Sequence, residues 1–337
     1  MSTWKRVVIF LVCSAVIGSL LGTIFALQLT LLPVHTPGKK MHVHIRPGQS
    51  LAPIASMLKE KGAIDNPLLF QLLAWAFDLS SKLQAGEFEV DTGWSRLKIL
   101  RTLATGSHVL YSLSIPEGLT WWQTGKLIAQ SGLTTFEAFK KAVHDRELLQ
   151  EFHIPADSAE GYLFPETYRL PRPEGNRAEP IVRLMLREFH KQAQTSLWPQ
   201  GLPQPGEIHN LVILASLVEK ETARPQERRT VAGVFANRLE LGMRLQCDPT
   251  VIYGLGRSFD GNLTKEHLRN RDNTYNTYTH GGLPPGPICS PGLASMQAAK
   301  SPKDHEYLYF VSQGDGSHHF SRSLQEHNRA VQRYQSP

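Results

Sequence analysis

The sequence contains little cysteine and none of the common nucleotide-binding motifs. Three of its 337 residues are cysteine. None belongs to a CxxC pair, which argues against a redox or zinc site. Cys13 lies in an apolar run, so Cys247 and Cys289 could either pair in an oxidising compartment or remain two buried thiols. The absence of GxxxxGK(S/T) and GxGxxG segments argues against a bound nucleotide.

Histidine is plentiful, but it does not follow the spacing of a metal site. The chain has 14 histidines and no HExxH, and His318 and His319 are adjacent rather than one helical turn apart. We therefore predict neither a metal nor a cofactor. The net charge is +6, yet the basic residues are spread along the chain. This charge suits an anionic surface or polymer, and we predict no nucleic-acid partner.

Long apolar runs are also scarce, and the clearest one stands near the N-terminus. Residues 7–32 carry no charged side chain. About 20 apolar residues cross a hydrocarbon core of about 30 Å, whereas the apolar part of a cleaved signal usually has about 7 to 15 residues. We therefore predict an uncleaved transmembrane helix over residues 7–29.

The flanking charges predict the orientation of this helix. Positive residues favour the cytoplasmic side, and Lys5 and Arg6 directly precede the apolar run. Two lysines beyond the run weaken this preference. We predict a cytoplasmic stub at residues 1–6, a linker at residues 30–41 and an extracytoplasmic bulk, held at the cytoplasmic (inner) membrane.

Residues 42–110 read as a small module with a strand at each end. Residues 42–45 alternate like a strand, Ser50 can cap a first helix, a second apolar helix covers residues 66–79, and residues 84–90 return as a strand. This order, with PGQSL at the first helix and LQAGEFEV at the end, resembles the LysM fold, which binds cell-wall glycan. A spacer domain without a ligand fits the same pattern.

A charged cluster ends the most informative helix, predicted over residues 207–223. At about 100° per residue, one apolar stripe contains Leu211, Leu214, Ala215 and Val218. Glu221 lies about 60° from Val218, whereas Glu219 lies about 100° away. Glu221 is therefore the carboxylate nearer the buried face, in the last turn before Pro225. Burial and the negative helix end both predict a raised pKa, as a general acid requires, although a solvated helix end fits the same charges.

Asp248 is a second candidate carboxylate. It follows an amphipathic helix predicted over residues 228–241 and ended by Gly242. Its position before Pro249 is typical of an N-cap followed by the first helical residue. The alternative is a functional carboxylate or an acceptor for sugar hydroxyls.

Aromatic and amide side chains precede a loop rich in glycine and proline at residues 281–292. Tyr275, Asn276 and Tyr278 suit stacking on sugar faces and hydrogen bonding to their hydroxyls. A tight turn or a strand end would use the same residues. The loop itself is predicted to be rigid and to shape the wall of a cleft.

The longer motifs resemble one family, the endolytic murein transglycosylases, also called YceG-like. The similarity rests on ASLVEKET, NRLELGMRLQCDPTVIYGLG, YNTY followed by GLPPGPI and SPG, and YLYFV followed by HHF. Upstream, IPEGLT and GYLFPETY also match the family. The resemblance covers residues 42–335. It implies an α+β fold class with an N-terminal transmembrane helix, a small LysM-like βααβ module and a larger mixed α/β catalytic domain over residues 111–337.

The resemblance also implies a reaction, the non-hydrolytic cleavage of peptidoglycan glycan strands. One Glu protonates the oxygen between N-acetylmuramic acid and N-acetylglucosamine, and then takes the proton of the muramyl 6-hydroxyl as that oxygen attacks C1. A 1,6-anhydromuramyl end results. Glu221 corresponds to this acid, and Glu221-Thr222 resembles the Glu-Ser pair of other lytic transglycosylases. The supporting or substrate-binding candidates are Glu166, Glu219, Gln246, Asp248, Tyr275, Asn276 and Tyr278.

Two other functions fit the same motifs. A muramidase would hydrolyse the same bond, but ordinary glycosidases use two carboxylates about 5 to 9.5 Å apart, and the sequence shows no clear second one. A non-catalytic scaffold would bind strands and leave them intact. The expected partners are glycan strands, especially newly exported ones near the membrane, and proteins of cell-wall synthesis.

Overall fold

The computed structural model describes residues 3–33, 37–106 and 108–335. Parts of the predicted stub and linker, residues 1–2 and 34–36, lie outside the described residues. The chain divides into two compact units, one of Met1–Tyr111 with Arg169–Glu174 and the other of Ser112–Tyr168 with Gly175–Pro337. The domain limits at residues 42–110 and 111–337 stay a prediction.

The first unit begins with a helix of 29 residues, α1 (Thr3–Leu31). Its described apolar side chains, such as Phe10 and Leu20, are exposed. In the part of the chain that the structure describes, no helix is both long enough and apolar enough to cross a membrane. The transmembrane helix predicted at residues 7–29 is therefore not confirmed.

The rest of the first unit has the predicted order of strand, helix, helix and strand. Its elements are β1 (Lys40–Ile45), α2 (Leu51–Glu60), α3 (Pro67–Ala76), β2 (Gly86–Asp91) and α4 (Arg96–Thr105). Strands β1 and β2 pair antiparallel, with Lys40 opposite Asp91. The Asn66 side chain caps α3 by accepting the Leu69 N–H at 3.1 Å. Alternate residues of the strand pair, such as Val43 and Phe88, are fully buried, so one face of the pair packs on the helices.

After α4 the chain is mixed α/β, as predicted, but helices predominate. The elements are β3 (Tyr111–Ser114), α5 (Trp121–Gln130), α6 (Phe136–Val143), α7 (Arg146–Glu151), β4 (Thr167–Leu170), α8 (Glu179–Gln192), α9 (Pro205–Glu221), α10 (Arg228–Glu240), α11 (Asp248–Leu255), α12 (Lys265–Arg269), α13 (Leu293–Lys300), β5 (Tyr309–Ser312), β6 (His318–Ser321) and α14 (Leu324–Gln335). Strand β3 pairs with β4, and β5 pairs antiparallel with β6. From α8 to α13, residues 179–300, which are all described, the regular elements are helices.

Helix α9 is the central element of the second unit. It begins at Pro205, which suits the first turn because proline lacks the N–H that a helix start leaves unpaired. Leu217 and Val218 are fully buried and pack in one cluster with Val231 and Phe235 of α10. Thr222 has extended backbone angles, so α9 ends at Glu221. The predicted helix at residues 207–223 is thus shifted by two residues, and Glu221 lies in its last turn.

Candidate active site

A cleft of ≈510 Å³ opens at the C-terminal end of α9. Helices α9, α10, α11 and α14 contribute to its walls, together with strands β5 and β6. Its charged and hydrogen-bonding side chains include Glu221, Arg238, Gln246, Asp248, Tyr278 and His318. Four of these six residues, namely Glu221, Gln246, Asp248 and Tyr278, are predicted from the sequence. The structure therefore brings together residues that lie up to 97 positions apart in the chain, from Glu221 to His318.

Glu221 is a half-buried carboxyl group in this cleft. Burial raises the pKa of Glu221 above its usual range, and the neighbouring Asp248 carboxylate raises it further. A hydrogen bond with the Cys247 thiol and the charges of His318 and Arg238 act in the opposite direction. A carboxyl with a raised pKa keeps its proton at a higher pH than an ordinary glutamate. The group can therefore act first as an acid and then as a base.

Asp248 and Tyr278 form a hydrogen-bonded pair beside Glu221. The Tyr278 hydroxyl donates to Asp248 Oδ1 at 2.6 Å. The interpretation of Asp248 as an N-cap is wrong, because Cys247 occupies the N-cap position and Asp248 is the first residue of α11. Its carboxylate is held by the tyrosine instead. Burial and the Asp248 charge raise the pKa of Tyr278, so its hydroxyl stays protonated and continues to donate.

Gln246 has a left-handed backbone conformation, with φ of 50°. Such angles are uncommon outside glycine, and they persist where the surrounding structure imposes them. Here the Gln246 N–H donates to the Thr277 carbonyl at 3.2 Å, and the next N–H, that of Cys247, donates to the Thr277 hydroxyl at 2.9 Å. These bonds fix the segment, so the Gln246 side chain is presented at the cleft.

Four predicted site residues do not line the cleft, namely Glu166, Glu219, Tyr275 and Asn276. Glu219 accepts the Gly292 N–H at 3.1 Å. Glu166 is exposed and accepts the N–H of the next residue at 2.8 Å. The ring of Tyr275 packs against Tyr253, with the ring centres 4.8 Å apart.

Asn276 is fully buried, and its side chain forms hydrogen bonds within the loop that contains it. Its amide group donates to the carbonyls of His267, Leu268 and Asn270 at 3.3, 3.1 and 2.8 Å. Its side-chain oxygen accepts the Tyr278 N–H at 3.0 Å. The amide is therefore occupied by backbone groups, and the alternative of a turn residue describes it better than a contact to sugar.

The sequence does not reveal Arg238, Glu227 or His318 as site residues. The buried Arg238 guanidinium donates to the carbonyls of Leu245 and Leu308 at 2.7 and 2.6 Å, which fixes a positive charge in the cleft wall. Glu227 and His318 are hydrogen-bonded to each other at 2.7 Å although they are 91 positions apart. Only HHF, among the family motifs, could have drawn attention to His318.

Glu160 is a buried carboxyl outside the cleft, next to the GYLFPETY motif. Burial raises the pKa of Glu160 to about 8. The carboxyl accepts the Trp121 N–H and the Tyr253 hydroxyl, each at 3.1 Å. It thereby satisfies the first N–H of α5, and its partners indicate a structural role.

Cys247 and Cys289 are both free and buried. Of the two alternatives left open by the sequence, two separate buried thiols are observed. Burial raises the pKa of both thiols well above the usual value, so both stay protonated. The Cys247 thiol hydrogen-bonds with Glu221, and the Cys289 thiol lies 3.5 Å from the Ser216 carbonyl oxygen.

The chain is similar to known proteins over most of its length. The profile of the YceG-like family matches residues 43–333. An endolytic murein transglycosylase of Bacillus subtilis is 31% identical over 318 residues, which cover 90% of this chain and 87% of that protein. One of Streptococcus pneumoniae strain R6 is 30% identical over 96% of this chain and 64% of its own length. A crystal structure of a yceG-like protein from Listeria monocytogenes has a TM-score of 0.57 and 31% identity, covering 87% of this chain and 99% of that one.

Proposed function

The chain belongs to the YceG-like family, and from this membership we propose that it is a peptidoglycan lytic transglycosylase whose acid and base is Glu221. The observation that carries the proposal is the Glu221 carboxyl in a cleft, with its pKa raised by burial. The curated relatives named above carry the name endolytic murein transglycosylase. The substrate would be the glycan strand, cut within its length.

The proposed reaction uses one carboxyl twice. Glu221 donates its proton to the oxygen between N-acetylmuramic acid and N-acetylglucosamine, and the bond from muramyl C1 to that oxygen breaks. The muramyl 6-oxygen then bonds to C1, and its proton passes to Glu221, which restores the acid. No water enters the products. Because the attacking hydroxyl belongs to the substrate, no second carboxylate is needed to activate a water.

Three other cleft residues would hold the sugars. Gln246 offers an amide on a fixed backbone, and Tyr278 offers an aromatic face. Asp248 can accept hydroxyl hydrogen bonds with its second oxygen while Tyr278 occupies the first. A second carboxylate beside the acid is also what a hydrolytic muramidase requires, so hydrolysis is the alternative to be tested.

Mass analysis of the products tests the reaction type. Intact glycan strands treated with the full-length protein are expected to give new ends that carry 1,6-anhydromuramic acid, each one water lighter than a reducing end. Incubation in isotopically labelled water provides the control, because only hydrolysis incorporates the label. Labelled reducing ends would show a muramidase, and strands that bind without new ends would show a scaffold.

We further propose that α1 anchors the enzyme to the cytoplasmic membrane, with the catalytic unit on the outer side. The support is the uncharged run at residues 7–32 and the exposure of apolar side chains such as Phe10, Leu11 and Leu20. The observed strand, helix, helix, strand order supports a LysM-like module at residues 42–110.

Fractionation of cells that express the full chain tests the anchor. The protein is expected to sediment with membranes, to resist extraction by high salt and by alkali, and to dissolve in detergent, because burial of apolar surface in lipid does not depend on salt. Release by salt or alkali would contradict an anchor.

A further inference from the structure

The Glu227 carboxylate connects the end of α9 to strand β6. It receives the His318 backbone N–H at 3.0 Å and the His318 Nδ1 at 2.7 Å. It also accepts the Thr222 hydroxyl at 3.4 Å. Thr222 directly follows Glu221 and is 2% exposed. One side chain thus contacts both the neighbour of the proposed acid and a histidine of the cleft.

His318 is itself held at the cleft wall. Its side chain is 12% exposed, that of Glu227 is 15% exposed, and its ring meets Phe310 edge-on at 5.4 Å. With Nδ1 bound to a carboxylate, the imidazole has a fixed orientation. Across the described ranges 3–33, 37–106 and 108–335, Nε2 of this ring has no hydrogen-bond partner. The ring can therefore respond to charge in the cleft, where Glu221 lies.

A second set of contacts holds the residues that follow Glu221. The Arg224 guanidinium donates to the Asp315 carbonyl at 2.6 Å, which ties the residues after Glu221 to the turn between β5 and β6. The Arg224 N–H donates to the Thr222 hydroxyl at 3.1 Å. The Thr222 hydroxyl is therefore engaged with Glu227 and Arg224. Glu221-Thr222 resembles the Glu-Ser pair of other lytic transglycosylases. In this chain the hydroxyl of that pair belongs to Thr222, and it bonds to Glu227 and to the Arg224 N–H.

We propose that Glu227 and His318 are positioning residues for Glu221: Glu227 orients the imidazole, and the imidazole stabilises the Glu221 carboxylate that exists between the two proton transfers. This role rests on the proposed function of Glu221. The imidazole exchanges no proton with the substrate, so the atom balance of the reaction is unchanged. Its contribution is electrostatic, and such a contribution is large in a partly desolvated cleft.

Several other groups also shift the pKa of Glu221, and they determine in which direction each variant should move it. Asp248 raises the pKa of Glu221, while the Cys247 hydrogen bond, His318 and Arg238 lower it. Tyr278 also lines the cleft beside Asp248, and His327 lines it beside Arg238. Removal of the His318 charge should raise the pKa of Glu221. Removal of the Asp248 charge should lower it.

Rates of strand cleavage against pH, measured at saturating substrate with the full chain, test the proposal. We expect His318→Gln to reduce kcat about tenfold to a hundredfold, because Glu221 then loses both the charge of the His318 imidazole and the fixed ring beside it. The basic limb of the profile, where Glu221 loses its proton, should move to higher pH. Glu227→Gln should move it in the same direction by less. Asp248→Asn should move it to lower pH.

His319→Gln is the matched control. His319 is the adjacent residue, is exposed, and has its ring 5.8 Å from that of Tyr334 rather than in the cleft. Its profile should equal that of the unmodified protein. A wild-type profile in both His318→Gln and Glu227→Gln would overturn the proposal. A lower rate with an unmoved basic limb would also overturn it, because that result describes structural support alone.

The assay counts new strand ends of either type, so its result does not depend on whether they are anhydro or reducing ends. Failure of the proposed function would appear in the mass analysis, whereas failure of the positioning role would appear in the pH profile. Thermal unfolding of each variant identifies misfolding. If His318→Gln does not fold, Glu227→Gln decides, because its amide oxygen can still accept the His318 N–H while its charge is gone.

Discussion

Glu221→Gln is expected to reduce the formation of new strand ends by roughly three orders of magnitude, the range of a lost general acid and base. The amide has nearly the same shape as the carboxyl but can neither protonate the leaving oxygen nor take a proton from the muramyl hydroxyl. Stability should not fall, because a half-buried carboxyl group with a raised pKa is replaced by a neutral amide. Release of anhydromuramyl ends and the thermal midpoint Tm are the two measurements.

Glu219→Gln is the control for this prediction. Glu219 lies on the same helix, two positions away, but it accepts the Gly292 N–H and does not line the cleft. Glutamine can still accept that bond through its side-chain oxygen. We expect Glu219→Gln to keep most of the activity. Cleavage by Glu221→Gln at a rate near that of the unmodified protein, or an equal loss in both variants, would refute the role of Glu221.

The contrast between these two glutamates shows what can be predicted from sequence. Glu221 continues the apolar stripe of α9, so the helical period alone indicates that it is the more buried of the pair. The structure places it in the cleft and Glu219 outside it. Local periodicity can rank the two residues because they share one regular element, whose buried face is marked by Ala215 and Val218.

Glu227 and His318 could not be predicted in this way. Their hydrogen bond spans 91 positions and depends on how the β5–β6 hairpin meets the end of α9. No period or spacing encodes such a contact. The φ of 50° at Gln246 could not be predicted from the sequence either. Glutamine has no preference for that conformation, and the surrounding hydrogen bonds impose it.

Asp248 and Asn276 show a third limit, in which one residue type serves two purposes. A carboxylate before proline predicts a cap, yet Asp248 lies one position further into the helix and binds Tyr278. An amide between two tyrosines suits a sugar site, yet Asn276 turns its polar groups to the backbone. In both cases the residue type is compatible with more than one partner. The tertiary contacts decide which partner it takes, and the short segments do not reveal those contacts.

Asn276→Ala is expected to lower the free energy of unfolding by about 2 to 4 kcal/mol, because the fully buried Asn276 amide bonds to the carbonyls of Leu268 and Asn270 and to the Tyr278 N–H, and all these bonds are lost. For a unit of this size the corresponding fall in Tm is about 5 to 12 °C. Activity at low temperature should fall as well, since the loop ends at Tyr278 and that residue holds Asp248. Calorimetry and cleavage rates on the same preparation measure both effects.

Asn270→Ala provides the comparison within the same loop. Asn270 is exposed, and its side-chain oxygen accepts the nearby Asp272 N–H at 2.8 Å. Water can replace that bond, so we expect a loss below about 1 kcal/mol. If Asn276 instead bound sugar, Asn276→Ala would raise KM and leave Tm unchanged. A large fall in Tm with Asn276→Ala alone therefore separates a residue that builds the cleft wall from one that contacts the substrate.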